Sequence, residues 1–242
     1  MGRQENIDIF KDTQQMYFRN PRLVAAILQS NEQQEYFVQG KRPVDVEKHT
    51  YENPAQISVS AKRTLEAAEA YAYAGKKVCV LNFASATNPG GGVVKGSSAQ
   101  EEAICRCSTL YPSLKEQRAW DAFYAPHRQA QDPLHNDDCI YTPGVVVFKS
   151  DTAYPMLLPE EKRYVVNVIT CAAPNLRERP SNGMNSGDGD RAVRIGRKEL
   201  QELHESRMRK VLEIAAAKGN EVVILGAFGC GAFRNSPAVV AQ

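Results

Sequence analysis

Residues 76–112 read KKVCVLNFASATNPGGGVVKGSSAQEEAICRCSTLYP. Val78, Val80 and Leu81 sit in an apolar run that fits a buried strand. Asn88-Pro89-Gly90-Gly91-Gly92 ends that run, since proline and consecutive glycines do not continue a strand. Val93 to Gly96 keeps the chain irregular, and Ser98-Ala99-Gln100-Glu101 has the serine-x-x-glutamate form of a capping box. Ala99, Ala103, Ile104, Cys107, Leu110 and Tyr111 then recur at helical spacing. The stretch therefore predicts strand, glycine loop and helix, with Glu101 and Glu102 in the helix's first turn.

Consecutive glycines remove every Cβ and expose backbone amides, which lets a phosphate or sugar come within hydrogen-bond distance. Consecutive glutamates on a helix diverge by about 100°. One can hold a sugar hydroxyl while the other reaches a scissile oxygen. Acidic residues in a first turn are also favoured by the helix dipole alone, by ~0.3–1 kcal/mol each, and spacing does not choose between these readings.

The triplet Gly90-Gly91-Gly92, a seven-residue spacer and Gln100-Glu101-Glu102 together resemble the signature of the microbial-type poly(ADP-ribose) glycohydrolases, a macrodomain family. The resemblance extends to Leu81–Ala84, Asn88-Pro89, Arg106–Tyr111 and the later Leu225–Phe233, and runs from about Ile57 to the C-terminus. It implies an α/β fold of three layers (α/β/α) with a mixed central sheet. A mainly helical accessory region over residues 1–54 would precede a catalytic domain over 55–242. The implied reaction is hydrolysis of ribose–ribose O-glycosidic bonds in poly(ADP-ribose), with no cofactor or metal. Glu102 would be the catalytic acid and base, Glu101 would bind ribose hydroxyls, and Gln100 would help position them. Asn88, Gly90, Gly91, Gly92 and Val93 would line one side of the cleft. Gly229, Cys230, Gly231 and Ala232 would form the other, with Phe233 against the terminal ribose. ADP-ribosylated proteins would carry the substrate. A mono-ADP-ribosyl hydrolase or a non-catalytic ADP-ribose reader shares much of this pattern, although a reader gains nothing from two carboxylates near a diphosphate.

Bulk properties agree with a soluble enzyme. The 242 residues are 43% hydrophobic, enough for one globular core, and 30 basic against 28 acidic residues leave a net charge of +2. That balance carries no overall footprint of nucleic-acid binding. Residues 1–12 are polar and lack the apolar core of a secretory signal. No run reaches the ~18 apolar residues of a membrane span, so a cytoplasmic location is expected. The six cysteines include no C-x-x-C pair and the four histidines lie far apart, which points to buried reduced thiols rather than a metal site.

Along the chain, Pro21 opens a helix through Gln29, and 36–38 and 43–51 read as extended. Gln56–Ser60 alternates like a short strand, and 61–75 reads as a helix closed by Gly75, with Leu65, Ala68 and Ala72 inward. The resemblance implies an acidic reader of adenine just past that strand. Ala61-Lys62-Arg63 supplies none, so adenine would fall to another residue. Residues 113–138 read as a helix followed by a long loop, and 139–149 as a strand pair around a Thr-Pro-Gly turn. Tyr164–Thr170 is a buried strand followed by Ala172-Ala173-Pro174-Asn175, where Asn175 either lines the cleft or caps the turn. Residues 177–191, rich in glycine, serine, asparagine and aspartate, read as a mobile loop. A long amphipathic helix over 197–218 would face Leu200, Leu203, Val211, Leu212 and Ala215 inward.

Val222–Leu225 is another strand, followed by Gly226-x-x-Gly229-x-Gly231 and a helix start at Asn235-Ser236-Pro237. Two glycine loops at the ends of parallel strands would make a two-sided cleft at strand C-termini, the usual ligand position in open α/β sheets. The chain ends at Gln242, where the resembling family continues with a further helix and strand, so either the sequence is cut short or the core closes differently here.

Overall fold

The computed structural model describes residues 2–44, 51 and 53–242. Part of the expected extended stretch at 43–51 lies outside them. Elements run α1 (Arg3–Arg19), α2 (Pro21–Glu32), β1 (Glu35–Phe37), α3 (Thr64–Tyr73), β2 (Val78–Phe83), α4 (Gln100–Cys107) and α5 (Leu110–Leu114). They continue with α6 (Gln117–Ala119), α7 (Ala125–Ala130), β3 (Cys139–Val147), β4 (Tyr164–Cys171), α8 (Arg197–Ala217), β5 (Val222–Ile224) and α9 (Pro237–Val240).

The strands form one five-stranded sheet in the order β1-β3-β4-β2-β5. β1 pairs with β3 and β3 with β4 antiparallel, whereas β4, β2 and β5 run parallel. β2 lies between two parallel partners and is covered on both faces, which is why its sequence is continuously apolar rather than alternating. Val78 and Val80 pack with Leu65 and Ala68 of α3 and Ile104 of α4, while Cys79 and Leu81 pack with Val211, Ile214 and Ala215 of α8. These are the three layers expected.

The N-terminal helices buttress α4 and the segment leading into it. Phe10 meets Tyr111 edge-on at 4.9 Å between ring centroids. Asn6 Nδ2 donates to the Gly96 carbonyl at 3.0 Å and Thr13 Oγ1 to the Arg106 carbonyl at 2.6 Å. Pro21 opens α2 as expected, with Asn20 Oδ1 accepting from the Arg22 amide at 3.0 Å.

Several expectations are corrected. Residues 56–60 form no strand, and Ile57 and Val59 are 92% and 95% exposed, because alternation without a pairing partner makes no ladder. Residues 139–147 are one strand, not a pair: a register shift between Thr142 and Val145 absorbs the Pro-Gly step. Gly144 there has φ +71°, and its freed amide donates to Asn167 Oδ1 at 3.2 Å. The helix of the opening stretch starts after Ala99, not Ser98, and Ser98 makes no cap. It stops at Cys107, because Ser108 turns extended and bridges to Val147. Residues 113–130 are a chain of short helices with a π-helical turn at Trp120–Tyr124 rather than one helix and a loop. In α8, Leu212 is exposed, whereas His204, Arg207 and Lys210 are buried; Arg207 donates to the Ala172 carbonyl at 3.1 Å.

Candidate active site

The loops after β2, β4 and β5 leave the same edge of the sheet, because those three strands are parallel neighbours. The two glycine loops therefore leave the sheet at the same end. Phe83, the last residue of β2, stands between them. Its amide donates to Gln100 Oε1 at 2.8 Å, and its ring packs on Phe228 at 5.7 Å. A Cβ on Gly226 would lie 2.9 Å from that ring.

Gln100 spends its side chain on the protein: Oε1 accepts from Phe83, and Nε2 donates to the Leu81 carbonyl at 2.7 Å and to Thr64 Oγ1 at 3.0 Å. It thus continues the β2 ladder and fastens the start of α4 to the sheet. All residues from Glu101 to Cys107 are buried. Glu101 is 2% exposed; Oε2 accepts from the Ser85 amide at 2.8 Å and Oε1 from Asn82 Nδ2 at 3.3 Å. Burial, reinforced by the charge of Glu102, pushes the Glu101 carboxyl well above the usual carboxylate range. Glu102 is 6% exposed; Oε1 accepts from the Gly92 amide at 2.8 Å, while its buried Oε2 has no partner among the described residues.

The glycine triplet is explained by these acids as much as by a ligand. Gly91 has φ +59°, and a Cβ there would sit 2.6 Å from Glu102 Oε1 and 2.9 Å from Glu101 Oε2. Only glycine lets the loop close over both carboxylates. Val93 is fully buried in the core beneath the loop. Asn88 is half-buried, and its Nδ2 donates to the Ser186 carbonyl at 2.8 Å.

In the second loop, Gly231 and Ala232 are exposed and Gly229 and Cys230 half-buried. Gly229 adopts φ +74° with no room for a Cβ beside Ala173 and Asn235. Asn235 does not cap α9. Its Nδ2 bonds the Pro174 carbonyl at 2.7 Å and the Gly229 carbonyl at 3.0 Å, tying this loop to the β4 loop. Phe233 is half-buried between His135, at 6.0 Å between rings, and the Arg177 guanidinium, 5.4 Å from its centroid.

Residues 177–191, expected to be mobile, instead fold over the first glycine loop. Asp188 is fully buried and Asn185 is 7% exposed. Asp188 accepts from Asn175 Nδ2 at 2.6 Å, so Asn175 anchors this segment rather than lining the cleft. Ser85, Thr87, His135, Asn185 and Asp188 were not singled out from the sequence. Their contacts span tens to about a hundred residues, and no local pattern marks them.

Fold and site together define a three-layer α/β protein with a mixed sheet, whose parallel strands end beside a buried carboxylate pair under a glycine loop. Residues 5–150 match the family described as "Microbial-type PARG, catalytic domain". The chain belongs to the microbial-type poly(ADP-ribose) glycohydrolase family. It is similar to the poly(ADP-ribose) glycohydrolase from Thermomonospora curvata, with 35% identity over 98% of this chain and 85% of that one and a TM-score of 0.80. The same Thermomonospora enzyme bound to the inhibitor ADP-HPD matches at 35% identity and a TM-score of 0.77, over 98% of this chain and 84% of that one. The Deinococcus radiodurans enzyme in complex with ADP-ribose matches at 32% identity and a TM-score of 0.71, over 92% of this chain and 82% of that one. No curated protein matches.

Proposed function

We propose that the protein hydrolyses the ribose–ribose O-glycosidic bonds of poly(ADP-ribose) and releases ADP-ribose, with Glu102 as general acid and base. The observation that carries this reading is the carboxyl of Glu102: one oxygen is held by the Gly92 amide and the other is buried with no partner among the described residues. An unpartnered buried acid oxygen costs stability unless something else uses it. A scissile glycosidic oxygen admitted beneath the glycine loop would be such a partner.

In this mechanism the Glu102 proton passes to the leaving ribose hydroxyl as the bond from the anomeric carbon to that oxygen breaks. Water then adds to the oxocarbenium-like carbon and returns its proton to Glu102. The substrate's own diphosphate, folded near the anomeric carbon and held by amides of the two glycine loops, stabilises the cation. Glu101, kept protonated to a higher pH than an isolated glutamate, offers a neutral partner to ribose hydroxyls. Gln100 acts one step back, by fixing the start of α4. Phe233 packs on the terminal ribose.

We read 55–242 as a macrodomain-like catalytic domain and 1–54 as an accessory region whose α1 braces α4 and whose β1 adds a strand to the central sheet. Among the described residues no helix is long and apolar enough to cross a membrane, we read the enzyme as cytoplasmic, and the near-neutral charge argues against a specific nucleic-acid partner. ADP-ribosylated proteins would present the polymer. Digestion of automodified polymer by wild type and Glu102→Ala in parallel tests the reading. Polymer loss with release of ADP-ribose by wild type alone is expected. Polymer left intact by wild type, or equal cleavage by both, refutes it.

A further inference from the structure

The 177–191 segment makes a continuous hydrogen-bonded path to the carboxylate pair. Asp188 is its hub. Oδ2 accepts from Asn175 at 2.6 Å and from Asn185 Nδ2 at 2.7 Å, and Oδ1 accepts from Thr87 Oγ1 at 2.9 Å with His135 Nε2 at 3.4 Å. Asn185 Oδ1 accepts from Ser85 Oγ at 2.6 Å, and the Ser85 amide donates to Glu101 Oε2 at 2.8 Å. The same segment reaches the glycine loop directly: Ser186 Oγ donates to Asn88 Oδ1 at 3.0 Å, and Lys95 Nζ to the Gly183 carbonyl at 2.6 Å.

The geometry points to Asn185 and Asp188 as positioning residues for the hydrolysis, which hold Ser85 and the 85–92 turn so that Glu101 and the glycine loop keep one geometry. This rests on the hydrolase reading above. Neither side chain faces the reacting atoms; both act through Ser85. Ser85 Oγ also accepts from the Asn88 amide at 3.1 Å, so freeing it loosens the turn that delivers Gly90–Gly92. Displacements of about 1 Å in such a support cost on the order of a hundredfold in rate.

The test uses the full chain with Asn185→Ala, Asp188→Ala and Asp188→Asn. In the alanine variants kcat on the polymer falls by about tenfold to a hundredfold, with KM changing by less than about threefold. Asp188→Asn stays within about threefold of wild type: its oxygen still accepts from Asn175 and Asn185, and its NH₂ can face Thr87 Oγ1. Hydrogen exchange at the Ser85 amide gives a second readout that needs no cleavage. It speeds up by about tenfold or more in Asn185→Ala. Wild-type kcat in Asn185→Ala overturns the proposal, as does equal loss in Asp188→Asn and Asp188→Ala. Unchanged Ser85 protection overturns it even if wild type proves inactive on polymer, so the two readings fail separately. Should Asp188→Ala not fold, Asn185→Ala carries the test alone.

Discussion

The Gly92 amide donates to one carboxyl oxygen of Glu102 at 2.8 Å, so the loop and the acid that faces it are one unit rather than a binding loop beside a catalytic helix. Whatever moves the triplet moves the acid.

Replacing Glu102 with glutamine preserves that amide contact and removes only the transferable proton. Polymer hydrolysis should fall by about 10²–10⁴-fold, with the melting temperature within a few degrees of wild type. Retained activity in a steady-state ADP-ribose release assay would remove Glu102 from its role.

Gly91→Ala places a methyl 2.6 Å from Glu102 Oε1 on a backbone with φ +59°. Left-handed strain and displaced carboxylates should cost about 2 kcal/mol, a drop of about 4–8 °C for a chain this size, and at least a hundredfold in rate. Calorimetry and the same assay check both. An active, fully stable Gly91→Ala protein would mean that the loop does not close over the acids.

Glu101→Gln should trade activity for stability. A carboxyl whose folded pKa lies above its unfolded value of about 4.3 stabilises the fold only below that value, and the contribution is lost as pH rises through the folded pKa. Wild type therefore carries a penalty on the alkaline side that glutamine lacks. Asn82 Oδ1 has no partner, so an amide flip lets it receive the new NH₂. Melting curves should show the variant gaining on wild type by about 1 kcal/mol or more between pH 5 and pH 8, while activity falls. A constant difference across that range would contradict the buried acid.

Asp188 has the opposite sign. Burial alone would push its carboxyl up, but the His135 ring 3.4 Å away and hydrogen bonds from Asn175 and Thr87 outweigh it and hold it below the ordinary range. Its contribution is present above the unfolded value of about 3.9 and is lost as pH falls through the lower folded one. Acid unfolding monitored by circular dichroism should thus have a shallower limb in Asp188→Asn than in wild type.

Much of this was readable from residues because its causes are local. Val78–Leu81 had to be a doubly covered strand, and the spacing from Gly90 to Glu102 fits a loop that folds back on a helix start. Local patterns also misled. Ile57 and Val59 alternate as a strand should, yet nothing pairs with them; Ser98 has the form of a cap, yet the helix begins one residue later. Gln100 showed as a signature residue without showing that its amide completes the β2 ladder. Asp188 was hidden in a stretch whose composition suggests disorder. A single buried carboxylate with partners from three distant segments orders it, and composition averages over such a contact.

Helix α4 has no wet side from Glu101 to Cys107. A surface helix can drift in sequence along its solvent stripe, but here each substitution meets a packed neighbour. In a saturation library this eight-residue rod should be the least tolerant part of the chain, and variants that tune the enzyme should come from the loops around its tip.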